Sequence, residues 1–302
     1  MSTLFSHFFT NFNQIAPLEA DFTEVLDAIA VKPKMLYFHG KLPENVAKKR
    51  PPVVAIVGAR HNTSYGKEVA YKLAYELGKR GVVVMSGLAF GIDSIAHRGC
   101  LDAGGVTVAV LGTPITQIYP RPHLALAREI IEKNGAIISE YGPGEQVFPK
   151  ISFLERNRLI AGLSDAVVIV EAAMKSGSLN TATHALSEGR EVFAVPGNIT
   201  NPYSQGCNKL ISQGAIPYTE PADVIRRFFP EEFAKKSRKK RDLTGDTDVE
   251  TAILAALGAG LRAGEEIMQA AKLPPEIFNE FITILEIKGR VQALGMNNWG
   301  LI

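Results

Sequence analysis

The sequence predicts an α/β protein with a doubly wound, mostly parallel sheet, and three observations carry that expectation. From Pro52 to about Pro217, short apolar runs alternate with helix-like stretches. Several runs, such as VVAIVG (53–58) and VTVAVLG (106–112), are apolar throughout rather than alternating, as in strands covered on both faces by helices. Glycine stands where each helix must end and turn into the next strand, at Gly81, Gly105, Gly135 and Gly189. Repeated β-α units imply right-handed crossovers, so the expected architecture is Rossmann-like.

Taken in order, residues 1–45, as far as LYFHGKLPE, read as a short helical lead-in, too small for an independent domain. VVAIVG feeds a helix from Lys67 to Arg80, and VVVMSG (82–87) feeds a second from Ile92 to Ala103. VTVAVLG is followed by a helix near His123 to Lys133 and then by AIISE (136–140). AVVIVEA (166–172) leads to a helix from Leu179 to Glu188, and EVFAVPG (191–197) closes the series. This domain is expected to span 46–230, and a basic run, KKSRKKR (235–241), marks a polar linker over 231–247.

Residues 248–302 change pattern. VETAILAALGAG, AGEEIMQAAKL and PPEIFNEFITILEIKGRV read as three short helices, and VQALGMNNWGLI as a β ribbon. The expectation is a small C-terminal winged-helix-like domain. Phe278, Phe281, Ile282 and Leu285 form an apolar face at helical spacing, read as the core of that domain rather than as an adaptor surface. The third helix has no cluster of lysine and arginine, so nothing in it points to reading a DNA groove.

Composition narrows the class. Of 302 residues, 46% are hydrophobic and 21% charged, which suits a globular chain with a sizeable core. No apolar run approaches the ~18 residues of a membrane span, and the first residues lack the basic flank and cleavage site of a signal peptide. Cys100 and Cys207 stand far apart and the six histidines are scattered, so no disulfide, metal or cofactor is expected, and a cytoplasmic location is.

In an open α/β sheet, ligands bind beyond the carboxyl ends of the strands. The loops there are GARHNTSYG, SGLAFGID, LGTPITQIYP, SEYGPGEQVFPKISFLERNR, EAAMKSGSLNTATHA and PGNITNPYSQGCNKLI. They are rich in glycine and serine, several feed helix N-termini, and they carry Arg60, Arg156, Arg158 and Lys175. None matches G-x-G-x-x-G or G-x-x-x-x-G-K-[ST]. The pattern suits an extended polyanion better than a compact nucleotide. Catalytic alternatives are poor. Asp93 reads as a helix cap, and Glu155 is a further acidic candidate near the rim. Glu140 and Glu171 end strands and are open to two readings, general base or partner of a loop arginine, with pairing favoured. Ser86, Ser176 and Ser178 have no histidine nearby in sequence. His97, His184 and Cys100 read as helix residues and Cys207 as a loop residue, so no catalytic residue is expected.

VAIVGAR, SGLAFGIDSIAH, FLERNRLIAGLSDAVVIVEA, SGSLNTA, GREVFAVPGN and GCNKLISQGA follow the order typical of the DNA-processing protein A (DprA/Smf) family, which the chain resembles over roughly residues 35–228. The tail LPPEIFNEFITILEIKGRVQALGMNNW is similar to the family's C-terminal winged-helix-like domain. The resemblance implies a non-enzymatic, single-stranded-DNA-binding recombination mediator. Such a protein protects incoming strands, loads the RecA recombinase in natural transformation and acts as a homodimer. It further implies that Arg60 binds a DNA phosphate, that Arg156, Asn157 and Arg158 form the family's R-N-R segment, and that Phe153 offers a stacking surface. Ser176, Gly177 and Ser178 match its phosphate-binding loop, with Lys175 alongside, and Ser86, Gly87 and Gly91 its second glycine loop. Leu154 stands where members often carry proline, and the helical N-terminal domain of many members is reduced to a remnant. The rival reading is a nucleotide-processing enzyme of similar fold, of the nucleoside-monophosphate phosphoribohydrolase type. Its signature resembles P-G-G-x-G-T followed by a catalytic glutamate, whereas the comparable loop here is KSGSLNTATHA.

Overall fold

The computed structural model describes residues 11–44, 50–231 and 243–301, so the basic run at 235–241 lies outside the described residues. The chain divides into two compact units, Met1–Pro230 and Glu231–Ile302.

In the first unit, β1 (Asn13–Ile15) is followed by two 3-10 turns (Pro17–Glu19 and Glu24–Ala28) and β2 (Leu36–Gly40). Then come β3 (Val53–Val57), α1 (Ser64–Gly78), β4 (Val83–Ser86), α2 (Ile92–Asp102), β5 (Thr107–Leu111), α3 (Leu124–Glu132) and β6 (Ala136–Ser139). The second half runs α4 (Pro149–Gly162), β7 (Ala166–Ile169), α5 (Gly177–Ser187), β8 (Glu191–Ala194), α6 (Pro202–Ser212), β9 (Ile216–Pro217) and α7 (Pro221–Phe228). The sheet order is β1-β2-β6-β5-β4-β3-β7-β8-β9. Strands β6 to β9 in that order all pair in parallel. Every residue of β3, β4, β5, β6 and β7 is buried, the physical counterpart of their unbroken apolar runs. The chain winds outward from β3 to β6, then returns to β7 on the other side of β3 and continues to β9. The carboxyl ends of β3 and β7 therefore flank the point where the winding reverses, the usual place for a ligand.

Three local features differ from expectation. Among the described residues of the lead-in there is no α-helix. Instead β2 pairs antiparallel with β6 and β1 with β2, extending the sheet, while Phe22, Leu26, Ile29 and Leu36 join the main core. In place of the expected helix, the described residues form only 3-10 turns of three and five residues, too short to carry a 3.6-residue period. Two segments taken as loops are helices, α4 and α6, each with proline in its first turn where the missing N–H costs nothing. Asn201 caps α6 by accepting from Tyr203 N at 3.0 Å, and Cys207 is buried inside that helix. α4 escapes detection because both its charged and its apolar residues are buried from Arg156 to Gly162, which leaves no polar stripe.

His97, in the middle of α2, packs fully buried against β5. Its Nδ1 lies 2.7 Å from Thr107 Oγ1, whose own proton goes to Val84 O at 2.7 Å. Nδ1 therefore carries the hydrogen, and Nε2 is a buried lone pair without a partner among the described residues. Burial pushes the imidazole down to about 3, helped by His123 and Arg156. In the unfolded chain it takes up a proton near pH 6.5, and in the folded one it does not. Stability is thus complete above that pH and falls on acidification by up to about 1.4 kcal/mol per unit, down to the folded value. Replacing His97 with glutamine is expected to flatten this slope in urea unfolding at pH 7 and pH 5. An unchanged slope would place the acid sensitivity elsewhere.

The second unit holds α8 (Asp248–Gly258), α9 (Gly264–Ala271), α10 (Pro275–Ile287) and a hairpin of β10 (Val291–Gly295) and β11 (Asn298–Leu301), a winged-helix arrangement. Phe278, Ile282 and Leu285 of α10 are buried against Ile253, Leu257 and Ile267, with Phe281 packed on the same cluster, so this apolar face is core.

Candidate nucleic-acid interface

β3 ends at Gly58, where an added Cβ would lie 2.8 Å from the Ile92 side chain. The loop then exposes Arg60 and turns into α1 at Thr63, whose Oγ1 accepts from Gly66 N at 3.2 Å. Glu171, buried at the end of β7, accepts the Thr63 N–H at 2.9 Å and the Thr63 hydroxyl. Glu171 therefore braces the Arg60 loop, and among the described residues it pairs with no arginine. Glu140 does pair with an arginine, Arg158.

The second glycine loop lies under the rim. Ser86 is fully buried and donates to Ile56 O at 2.7 Å. A Cβ on Gly87 would come within 2.3 Å of the Arg156 guanidinium, and Gly91, with φ at +78°, abuts the carbonyls of Ala59 and Arg60. Asp93 does not cap its own helix. It is buried, and its carboxylate accepts Gly87 N at 3.0 Å and, more weakly, Ala89 N. Burial raises its pKa, against the pull of Arg156 and the loop amides.

Because α4 is a helix, Arg156, Asn157 and Arg158 point in directions ~100° apart, so the three cannot all face one ligand. Arg156 runs inward. Its Nη1 donates to Gly87 O at 2.8 Å and to Val110 O, and its Nε to Asn157 Oδ1 at 3.2 Å. Nη2 has no protein partner among the described residues. Burial lowers this guanidinium to about 10, against the opposing effect of Asp93, so it stays cationic at neutral pH. Asn157 donates from Nδ2 to Gly177 O and to Asn180 Oδ1, both at 3.2 Å, and so holds the first turn of α5. Arg158 turns the other way, to Glu140 and, at 2.7 Å, to Val31 O. Phe153, one turn before Arg156, rests over Gly112, where a Cβ would strike its ring at 2.5 Å. It stacks on Tyr119 with centroids 5.4 Å apart, and the Arg60 guanidinium lies 5.5 Å from its centroid.

The far wall is the start of α5. Ser176 is the N-cap, with its Oγ 3.3 Å from Ser178 N and 2.8 Å from Ser178 Oγ. A Cβ on Gly177 would meet nothing within 4 Å, so this helix N-terminus opens outward, as an anion site requires.

These parts enclose a cleft of about 620 Å³ at the β3–β7 switch point. It brings together Arg60, Phe153, Arg156 and Asn157 on one side and Lys175, Ser176, Gly177 and Ser178 on the other. Ser86 and Gly91 do not line it, Gly87 meets only a small adjoining recess, and Arg158 belongs to a neighbouring cleft. Tyr119, Lys150 and Thr181 line it too and were not singled out in the sequence. Lys150 was visible as a base beside Phe153 once α4 is a helix. Tyr119 and Thr181 carry no sequence signal beyond their place in rim segments. Arg60, Lys150, Arg156 and Lys175 face the cleft against one carboxylate, Asp93. Burial pushes the thiols of Cys100 and Cys207 up to about 12, which leaves neither poised as a nucleophile.

A family model described as DNA recombination-mediator protein A matches residues 13–229, and one described as DprA winged helix domain matches residues 237–295. The DNA processing protein DprA of Streptococcus pneumoniae is 41% identical over 208 residues, covering 69% of this chain and 70% of the relative. Protein Smf of Escherichia coli is 47% identical over 172 residues, 57% of this chain, and the match spans only 46% of that relative's length. Among solved structures, DprA from Streptococcus pneumoniae superposes with a TM-score of 0.64 at 39% identity, over 73% of this chain and 75% of that one. A Helicobacter pylori DNA processing protein A, described for its single-stranded DNA binding mode, gives a TM-score of 0.63 at 32% identity, over 75% of this chain and 98% of that one.

Proposed function

This chain belongs to the DNA-processing protein A family, and from that premise we propose that it grips single-stranded DNA in the cleft at the β3–β7 switch point without cutting it. It does so as a recombination mediator that protects incoming strands and passes them to the RecA recombinase in natural transformation, working in the cytoplasm as a homodimer. Among the described residues no helix is long and apolar enough to cross a membrane.

One observation carries the reading: Arg60 lies over the face of Phe153 at the mouth of a cleft whose opposite wall is the open N-terminus of α5. A guanidinium and free backbone amides suit phosphate, while an aromatic face suits a base of any identity. A flexible single strand can present both within one cleft, whereas a stiff duplex keeps its bases stacked inside. Lys150 and Lys175 add charge at the rim.

The test is a fluorescence-anisotropy titration of the whole chain with labelled oligo(dT) and a duplex of equal length, at several salt concentrations. Clear preference for the single strand is expected, with log K falling by about 0.7 per log unit of salt for each phosphate neutralised. Three to four contacts per cleft give a slope of about −2 to −3. Equal affinity for duplex, or a slope near zero, would overturn the reading.

A further inference from the structure

A second open cleft, of about 780 Å³, lies against the first, with Leu154 in the wall of both. Its chemistry is different. The first cleft is cationic, but here Arg158 is neutralised by Glu140, and Lys32 is paired with Asp27 at 2.7 Å. Lys34 shares the lining with Glu145 and Glu155, so the cavity offers a phosphate little net attraction. What it offers is hydrogen-bonding groups beside aromatic surface. Tyr141 donates to Glu155 Oε2 at 2.7 Å, leaving Oε1 of that carboxylate without a partner among the described residues. Asn180 is held through its Oδ1 by Asn157, and its Nδ2 has no partner among the described residues. Burial, and then Arg158, lower the pKa of His184, so its ring is neutral at pH 7.

The two clefts are joined by shared elements. Ser178 lines the first and Asn180 and His184 the second, all on α5. Ser178 and Asn180 are separated by ~3 Å along the helix axis, and His184 stands about two turns below the phosphate-facing end. The Asn157–Asn180 hydrogen bond spans the wall between them.

We propose that this second cleft is a nucleobase subsite that favours guanine, occupied by a base of the same strand whose phosphates lie in the first cleft. The inference rests on the strand-binding reading above. Guanine presents two adjacent N–H donors, N1–H and the 2-amino group, on one edge, and a carboxylate such as Glu155 is the acceptor pair that matches them. Thymine presents a single N–H flanked by two carbonyls, which a carboxylate repels. Hypoxanthine keeps N1–H but lacks the amino group, which makes it the discriminating probe.

The experiment compares the wild-type chain with Glu155→Gln on d(TG)6, d(TI)6, in which inosine replaces guanosine, and oligo(dT) of the same length. Glu155 is exposed, so the substitution does not burden folding. Wild type is expected to bind d(TG)6 about 5- to 10-fold more tightly than d(TI)6, the net scale of one added hydrogen bond at a solvent-exposed acceptor. Glu155→Gln should remove that difference, and oligo(dT), which gains nothing from the carboxylate, should bind the variant at least as tightly as the wild type. Tyr141→Phe frees Oε2 and should keep or enlarge the preference. Tight oligo(dT) binding with no difference between d(TG)6 and d(TI)6 would overturn the subsite alone. Failure of all three strands to bind would instead overturn the strand-binding reading on which it stands.

Discussion

Replacing Arg60 with alanine is expected to weaken binding of oligo(dT) by about 1.5–3 kcal/mol, roughly 10- to 150-fold, because a charge-assisted hydrogen bond to phosphate is lost. The substitution is clean. Arg60 is exposed, and its guanidinium rests over the face of Phe153 at 5.5 Å, so the fold loses little with it. Its loop is held independently, by Glu171 on Thr63 and by Gly91 beneath the carbonyls of Ala59 and Arg60. Two signatures separate a phosphate contact from general damage. The salt slope should fall by about 0.7, and the urea midpoint should stay where it is. Unchanged affinity at fixed salt would remove Arg60 from the interface.

Arg156→Met should act on the fold instead, destabilising the first unit by about 3–5 kcal/mol in urea unfolding at pH 7. Methionine matches the stem but supplies no donor for the carbonyls of Gly87 and Val110, and it leaves the buried Asp93 carboxylate without its cation. The pH dependence tests that cause. Asp93 already titrates above the ordinary carboxylate range, through burial, and removing Arg156 raises it further. A carboxyl whose folded pKa exceeds its unfolded value contributes stability that is complete below about pH 4 and lost as pH rises through the folded value. The gap between variant and wild type should therefore narrow from pH 7 to pH 5. A constant gap would show that Asp93 is not the group left exposed by the change. Adding Asp93→Asn to the variant should cost less than the two single losses together.

The parallel core was legible because burial on both faces imposes unbroken apolar runs, and β3 to β7 obey that rule residue by residue. The rim was legible because strands that end in glycine and serine leave room for a ligand. Within the rim, sequence adjacency misled. Arg156, Asn157 and Arg158 look like one binding unit when written in a line. On α4 they become an internal strut, a clamp on α5 and an ion-paired anchor to the lead-in. Glu171 was misread for a similar reason: its partner, Thr63, is 108 positions away and carries no charge. Ser86, Gly87 and Gly91 keep the pattern of a ligand loop, yet their small size serves the close approach of Arg156 and the Arg60 loop. Phe153 and the Ser176–Ser178 turn were named through the family resemblance, and the structure places them in the lining of one cleft.

Both borders of the large sheet are blunt: β1 has three residues, and β9 has two, one of them Pro217. A border so brief, or lacking an amide hydrogen, is a poor template for another strand. Self-association by joining two copies of the large sheet across these borders is thereby disfavoured.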